Sequence, residues 1–404
     1  MKKISLTVLG LYIGILAAFS QDPNGDSGVY KSRALKIDEV NFVSSYYHQE
    51  GNHSAVTGGI GTEKLTDYAN SIELKMSHYD FKNRKRSIGI EAGIDYYTSA
   101  SSDNINPKNL SSASSRDIRV YPSISYGIEN EKKGTLVGFN ASYSHEFDYT
   151  SIGVGVSFNK SSRNRNREFG VKANAYFDQV SIIQPIEFAP VGANSGASRG
   201  DDHVYPTSPR NSFNLGFSLS QVVNKKFQLA FLMDLAYQKG FLSLPFHRVY
   251  FSNGKEGMDV LPDTRFKIPL ALRANYFIGD KIIVRAYYRY YQDSWGLKAH
   301  TANIETPIKI TPFVSISPFY RFYMQSAIDY FAPYKQNDAN SIYHTSDYDL
   351  SKFSSNFFGM GIRFSPPKGV LGIEYLNMLE LRFGHYTRSN DLQSNIVSVN
   401  LRFK

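Results

Sequence analysis

The stretch from Asp263 to Asp293 reads as two strands joined by a two-residue turn, and each strand has two chemically opposite faces. On the first, Phe266, Ile268, Leu270, Leu272, Ala274 and Tyr276 alternate with Arg265, Lys267, Pro269, Ala271, Arg273 and Asn275. After Gly279-Asp280, the residues Ile282, Val284, Ala286, Tyr288 and Tyr290 alternate with Ile283, Arg285, Tyr287, Arg289 and Tyr291. Strand side chains point alternately to the two sides of a sheet, so one side here is apolar and the other carries arginines. In a soluble sandwich the apolar side meets a second sheet. Repeated along a whole chain with aromatic strand ends, the same pattern fits a barrel whose outside touches lipid.

The pattern does repeat. Strand-like segments are expected near 40–49, 67–79, 87–99, 116–128, 135–146, 150–159, 167–180, 211–223, 226–238, 263–277, 281–292, 296–309, 311–325, 352–365, 370–387 and 391–403, roughly sixteen in all. Their connections sort by length. With a periplasmic start, every second connection is tight, as at Gly279-Asp280, Asn224-Lys225, Thr311-Pro312 and Pro366 to Gly369. The other set contains all the long ones: Glu50 to Thr66, Ala100 to Ser115, Ser181 to Arg210, Gly240 to Pro262 and Ser326 to Ser351. Short periplasmic turns and long outer loops are the habit of a transmembrane up-and-down barrel. A stack of sandwiches gives no reason for loop length to alternate.

Composition agrees. Beyond the first twenty residues no apolar run approaches the length of a spanning helix, while the chain holds 29 Tyr and 28 Phe against a single Trp. Aromatics suit strands and the two interfacial girdles of a barrel. Residues 1–20 have the form of a secretory leader: Lys2 and Lys3, an apolar stretch from Ile4 to Ala18, and an Ala18-Phe19-Ser20 cleavage site. Residues 21–38 are expected as a flexible periplasmic lead-in and 39–404 as the barrel. The chain has no Cys, which excludes disulfide and thiolate chemistry. The formal net charge of +9, two units of it from the leader, is no argument for nucleic acid in an exported protein.

About sixteen strands enclose enough space for an aqueous channel unless side chains or loops plug it. Candidate pore-lining residues are Arg265, Lys267, Arg273, Arg285, Tyr287, Arg289, Arg321, Glu374, Glu380 and Arg382. One reading is a transverse field favouring small polar or anionic solutes. The other is a lattice of ion pairs that stiffens the barrel. A channel or porin-like transport protein of the outer membrane is the first expectation. A closed barrel that docks other envelope proteins is the second, and an outer-membrane enzyme the third. Ser142, Ser144 and His145 lie close in sequence, yet no nucleophile, base and orienting acid form a recognisable set, so no catalytic residue and no cofactor are expected. His48, His53, His145, His203, His247, His344 and His385 fall on the outer side beside Asp201, Asp202, Asp347 and Asp349. They leave metal binding an open question, because no pair has a recognised ligand spacing.

Four segments carry a family likeness: Ser44 to Glu63; Tyr287 to Tyr291 with Asp293 to Gly296; Pro318 to Tyr323 running on to Tyr330 to Tyr334; and Thr345 to Phe353. They resemble the signature segments of an uncharacterised Bacteroidota outer-membrane β-barrel family, domain of unknown function 3570. The resemblance extends over nearly all of the mature chain and implies location rather than activity. His53, Thr57, Gly58 and Gly59 lie in the first outer loop, and Asp347 and Asp349 in a late one. Closure of the barrel would bring these loops near each other, as a cap or ligand site at the mouth.

Overall fold

The computed structural model describes residues 33–98, 117–183, 185, 188 and 205–404. The leader, most of the lead-in, His203, Asp201 and Asp202 lie outside them. Sixteen antiparallel strands form the barrel. They are β1 (Lys36–Glu50), β2 (Leu65–Tyr79), β3 (Lys85–Tyr97), β4 (Asp117–Asn130), β5 (Thr135–His145), β6 (Tyr149–Ser161), β7 (Arg167–Ser181) and β8 (Thr207–Asn224). There follow β9 (Phe227–Gly240), β10 (Thr264–Ile278), β11 (Ile282–Asp293), β12 (Lys298–Glu305, resuming as Ile308–Lys309), β13 (Val314–Gln325), β14 (Phe353–Phe364), β15 (Leu376–Arg388) and β16 (Gln393–Phe403). Each pairs with its sequence neighbours, and β16 pairs with β1 from Val40↔Phe403 to Glu50↔Gln393, so the cylinder closes. Closure leaves no edge strand, the one arrangement by which a sheet satisfies its backbone in hydrocarbon. The break in β12 falls at Pro307, which has no N–H to donate; its carbonyl still accepts from Ile283.

The outside is apolar. Leu272, Phe383, Ile152 and Ile124 are 47%, 49%, 52% and 53% exposed, as are their neighbours on every strand. So large an uncovered apolar surface fits lipid and not water. The charged alternates of β10 and β11 face inward, as their alternation requires.

The three largest departures from the expected boundaries are at strand starts. Strand β1 begins at Lys36, three residues inside the expected lead-in, and β8 begins at Thr207 rather than 211. Strand β15 begins at Leu376, not 370, because the residues before it do other work. Gly369 and Gly372 take positive φ around a 3-10 turn, Val370–Gly372. That turn lays Val370 and Ile373 over Val40, Leu376 and Phe403. Val370 is thereby 4% exposed and Phe403 1%, which seals the seam between first and last strands.

The long loops gather at one end. Residues 51–64, 241–263 and 326–352 pack against one another, and a short hairpin of Arg248–Tyr250 with Glu256–Met258 stands in the middle loop. Beneath them Leu261, Trp295, Leu297, Ala299 and Ile328 form a compact core.

Candidate functional site

The lumen divides into two unlike walls. From β3 to β9 the inward positions are rich in Gly, Ser and Asn, with Glu91, Arg119, Lys172, Asp178 and Asp234 among them. Gly155 shows why: a Cβ there would stand 2.3 Å from Asn174 Oδ1 and 2.5 Å from Asn140 Oδ1. Two cavities, each of about 570 Å³, follow this wall. On β4, β8 and β9 the lining steps from one cavity to the other by a single inward position: Ser123 to Ser125, Asn214 to Gly216, and Ala236 to Asp234. They therefore lie end to end along the barrel. Arg119, whose Nε donates to Ser144 Oγ at 2.9 Å, and Lys267 line the loop-side cavity.

The opposite wall, from β10 round to β2, is charged. Near the turn side its acids and bases interleave. Arg285 lies 3.7 Å from Glu305, and Arg382 bridges Glu305 and Glu380. Glu380 also accepts from Arg363 at 2.6 Å. Further round, Glu39 meets Arg402 at 3.2 Å and Lys75 at 3.4 Å, and Lys75 meets Glu73 at 2.9 Å. Among the expected lining residues, Arg285, Glu380 and Arg382 thus belong to an ion-pair belt. Arg265 is also committed: it pairs with Asp293, whose side chain is wholly buried, and stacks over Trp295 at 4.2 Å. Glu374 lies exposed in the turn before β15, off the wall, because the seam-covering turn displaces the strand start. Lys267, Arg273, Arg289 and Arg321 remain, with no carboxylate within 4 Å among the described residues. Tyr287 lies beside them, across from Arg273 on the inward face.

The loop-side cluster joins the first loop to two others. The His53 ring stacks on Tyr348 with centroids 3.8 Å apart and planes 7° from parallel. Thr57 Oγ1 donates to the carbonyl of Ser54 at 3.3 Å, and Arg248 donates to the carbonyl of Val56 at 2.9 Å. Gly58 and Gly59 have φ of 78° and 86°; a Cβ on Gly58 would stand 2.5 Å from the Tyr250 ring, and one on Gly59 2.8 Å from Ser346 O. Asp349 pairs with Arg388 of β15, and Gln325 of β13 donates to the carbonyls of Asp349 and Ser351 at 2.9 and 2.6 Å. Sequence reasoning missed the middle loop, which brings His247 within 3.9 Å of Asp347.

Burial governs protonation here. It raises the Glu63 carboxyl to about 7, with the Asp349 charge adding to the effect. Asp347 rises to about 8 through burial and the neighbouring Asp349, and Asp259 to about 6 through burial. His247 falls to about 4 because burial disfavours its cation.

The remaining sequence candidates are dispersed. His48, His145 and His385 face outward near the loop-side rim, each with Nδ1 2.9 Å from Thr66, Thr150 and Asn395 respectively. His344 lies against the carbonyl of Met258. Among the described residues no group of three or more His, Asp or Glu side chains comes together as a metal site. Ser144 and His145 point to opposite sides of β5, as adjacent strand residues must.

A family model for a protein of unknown function, DUF3570, matches residues 99–396. The chain belongs to that family. No curated protein matches the sequence. Among solved structures, Pseudomonas aeruginosa OccK1 aligns at 8% identity and a TM-score of 0.42, over 93% of this chain and 99% of that one. A BenF-like porin from Pseudomonas fluorescens Pf-5 aligns at 9% and 0.42, over 91% and 98%. Pseudomonas aeruginosa OccD3 aligns at 9% and 0.44, over 94% and 93%.

Proposed function

We propose that the protein is an outer-membrane channel through which small polar and anionic solutes diffuse. The observation that carries this reading is the pair of cavities running end to end along the wall rich in Gly, Ser and Asn. Lys267 at the loop-side cavity, with Arg273, Arg289 and Arg321 on the charged wall, has no carboxylate within 4 Å among the described residues, so a passing solute meets cations that no acid neutralises. The leader at residues 1–20 supplies export, which an N-terminus at Gln21 in the mature protein would bear out.

The interlocked outer loops favour a second reading, a barrel closed at its mouth that docks other envelope proteins. Proteoliposome swelling in a neutral pentose, together with single-channel conductance in planar bilayers, separates the two. Pentose-driven swelling and discrete conductance steps are expected. Vesicles that neither swell nor conduct, though they hold folded protein, would leave the docking barrel.

A further inference from the structure

Two phenylalanines interrupt the polar inner face. Phe319 on β13 and Phe357 on β14 point into the lumen, where their ring centroids lie 5.0 Å apart with planes tilted by 57°. Each ring lies over a glycine of the neighbouring strands. A Cβ on Gly359 would stand 2.7 Å from the Phe319 ring, and one on Gly384 2.5 Å from the Phe357 ring. Gly359 and Gly384 are register partners, so the rings share one floor. Covering exposed strand backbone explains why the rings lie down. It does not explain the two guanidiniums beside them. Arg321 stands 5.7 Å from the Phe357 centroid, and Arg382 5.2 Å from that of Phe319. Arg382 is held by Glu305 and Glu380, whereas Arg321 is exposed to the lumen and has no carboxylate within 4 Å among the described residues. Both rings are only half-buried, and with Asn303, Ser398, Arg321 and the Glu305–Arg382 pair, in which the Glu305 charge is already neutralised, they line a pocket of about 290 Å³.

We infer that this pocket is a binding site for a single-ring aromatic carboxylate. The tilted phenyl faces take a flat apolar body in offset or edge contact. A guanidinium not already spent on an acid offers a planar fork that fits a carboxylate with two parallel bonds. The pocket is near the lower size limit of small-ligand sites, roughly 300 Å³, which suits one ring rather than two. The site deepens the channel reading, since solute must reach the lumen to fill it.

The test is calorimetric titration of the purified barrel in detergent with benzoate, with benzyl alcohol as the ring without charge and acetate as the charge without ring. Benzoate should bind at least tenfold more tightly than either control. Arg321→Gln, a change at an exposed side chain, and Phe357→Leu should each weaken benzoate at least tenfold while the barrel keeps its heat-modifiable gel mobility. Absence of benzoate binding, acetate binding as tight as benzoate, or unchanged affinity in Arg321→Gln would overturn the inference. Pentose swelling by the wild-type protein is measured separately. A barrel that binds benzoate yet does not swell vesicles would sink the channel and keep the site.

Discussion

Asp293 carries the heaviest load of any single carboxylate at the loop-side rim. Its Oδ1 accepts from the backbone amides of Trp295 and Leu297 at 2.9 and 3.2 Å. Its Oδ2 accepts from Tyr291 at 2.7 Å and pairs with Arg265. Removing one member of a buried pair strands the other charge, at a cost of about 3–5 kcal/mol. Asp293→Ala should therefore destabilise the protein by that order and Tyr291→Phe by much less, about 1 kcal/mol for one hydrogen bond. Trp295, the only tryptophan, reports on this site directly, so urea unfolding followed by its fluorescence measures both. This rim also marks how far single residues are legible. Alternation puts Arg265 and Arg289 on the same inward face, yet one is neutralised and the other is not. The difference depends on cross-strand register, which sets Lys267 opposite Asp293 and so leaves Arg265 within reach of it. Period-two patterning gives a face without giving neighbours.

Strands are the scale at which the sequence speaks most clearly, because the bilayer fixes the chemistry of every second position. Leu272, at the middle of β10, is 47% exposed on the lipid side. Leu272→Arg should cost about 2–4 kcal/mol, read as a shift in reversible folding into lipid vesicles, while Asn275→Arg at a part-exposed position on the lumen side should escape that lipid penalty. The pattern misled where an outward strand face is covered by protein: Val370 and Ile373 look like strand residues since they, too, bury an apolar surface. Loops carry no period, so the middle loop's place in the outer cluster was illegible. The contact of His53 with Tyr348 followed only from the closure of the barrel. Protonation makes the loop cluster testable. Glu63, Asp259 and Asp347 have folded-state values raised above their ordinary ones, to about 7, 6 and 8. Each contributes stability that is complete below its ordinary value and lost as pH rises through the raised one. His247 is lowered to about 4, so its contribution is present above about 6.5 and lost as pH falls through 4. Between pH 6.5 and 8 only the acids change, and the loops should loosen as pH rises. Amide exchange in residues 243–261 and 343–351, corrected for its intrinsic pH dependence, should quicken over that window by up to about tenfold per pH unit for each titrating group. Exchange in β5 and β6 should not. Protection that grows with pH would show that these carboxyls are not buried together.

Over the whole barrel, the ion-pair belt and the free cations do separate jobs. The belt at the turn side largely cancels its own charge, its acids shared between neighbouring bases, from Arg285 round to Lys75. Lumen cations with no carboxylate within 4 Å among the described residues lie outside the belt: Lys267, Arg273, Arg289 and Arg321 on β10, β11 and β13, with Arg119 and Lys172 on the cavity wall. On the far side Glu91, Asp178 and Asp234 face the cavities, but Asp178 is taken up by Tyr149. The lumen field should then favour anions, and the preference should come from the unpartnered residues rather than from the more numerous paired ones. Reversal potentials in a KCl gradient test this partition. The double change Arg273→Gln with Arg289→Gln should lower the chloride-over-potassium permeability ratio severalfold near 0.1 M salt, where the Debye length is about 10 Å. At 1 M, where it is about 3 Å, the wild-type and altered proteins should converge. Arg363→Gln removes a charge of the same sign from the belt and bares Glu380 in part, so it should act mainly on stability and shift the ratio less. If Arg363→Gln moves selectivity as much as the double change does, the belt and the free cations form one field, and pairing does not decide which charges a solute feels.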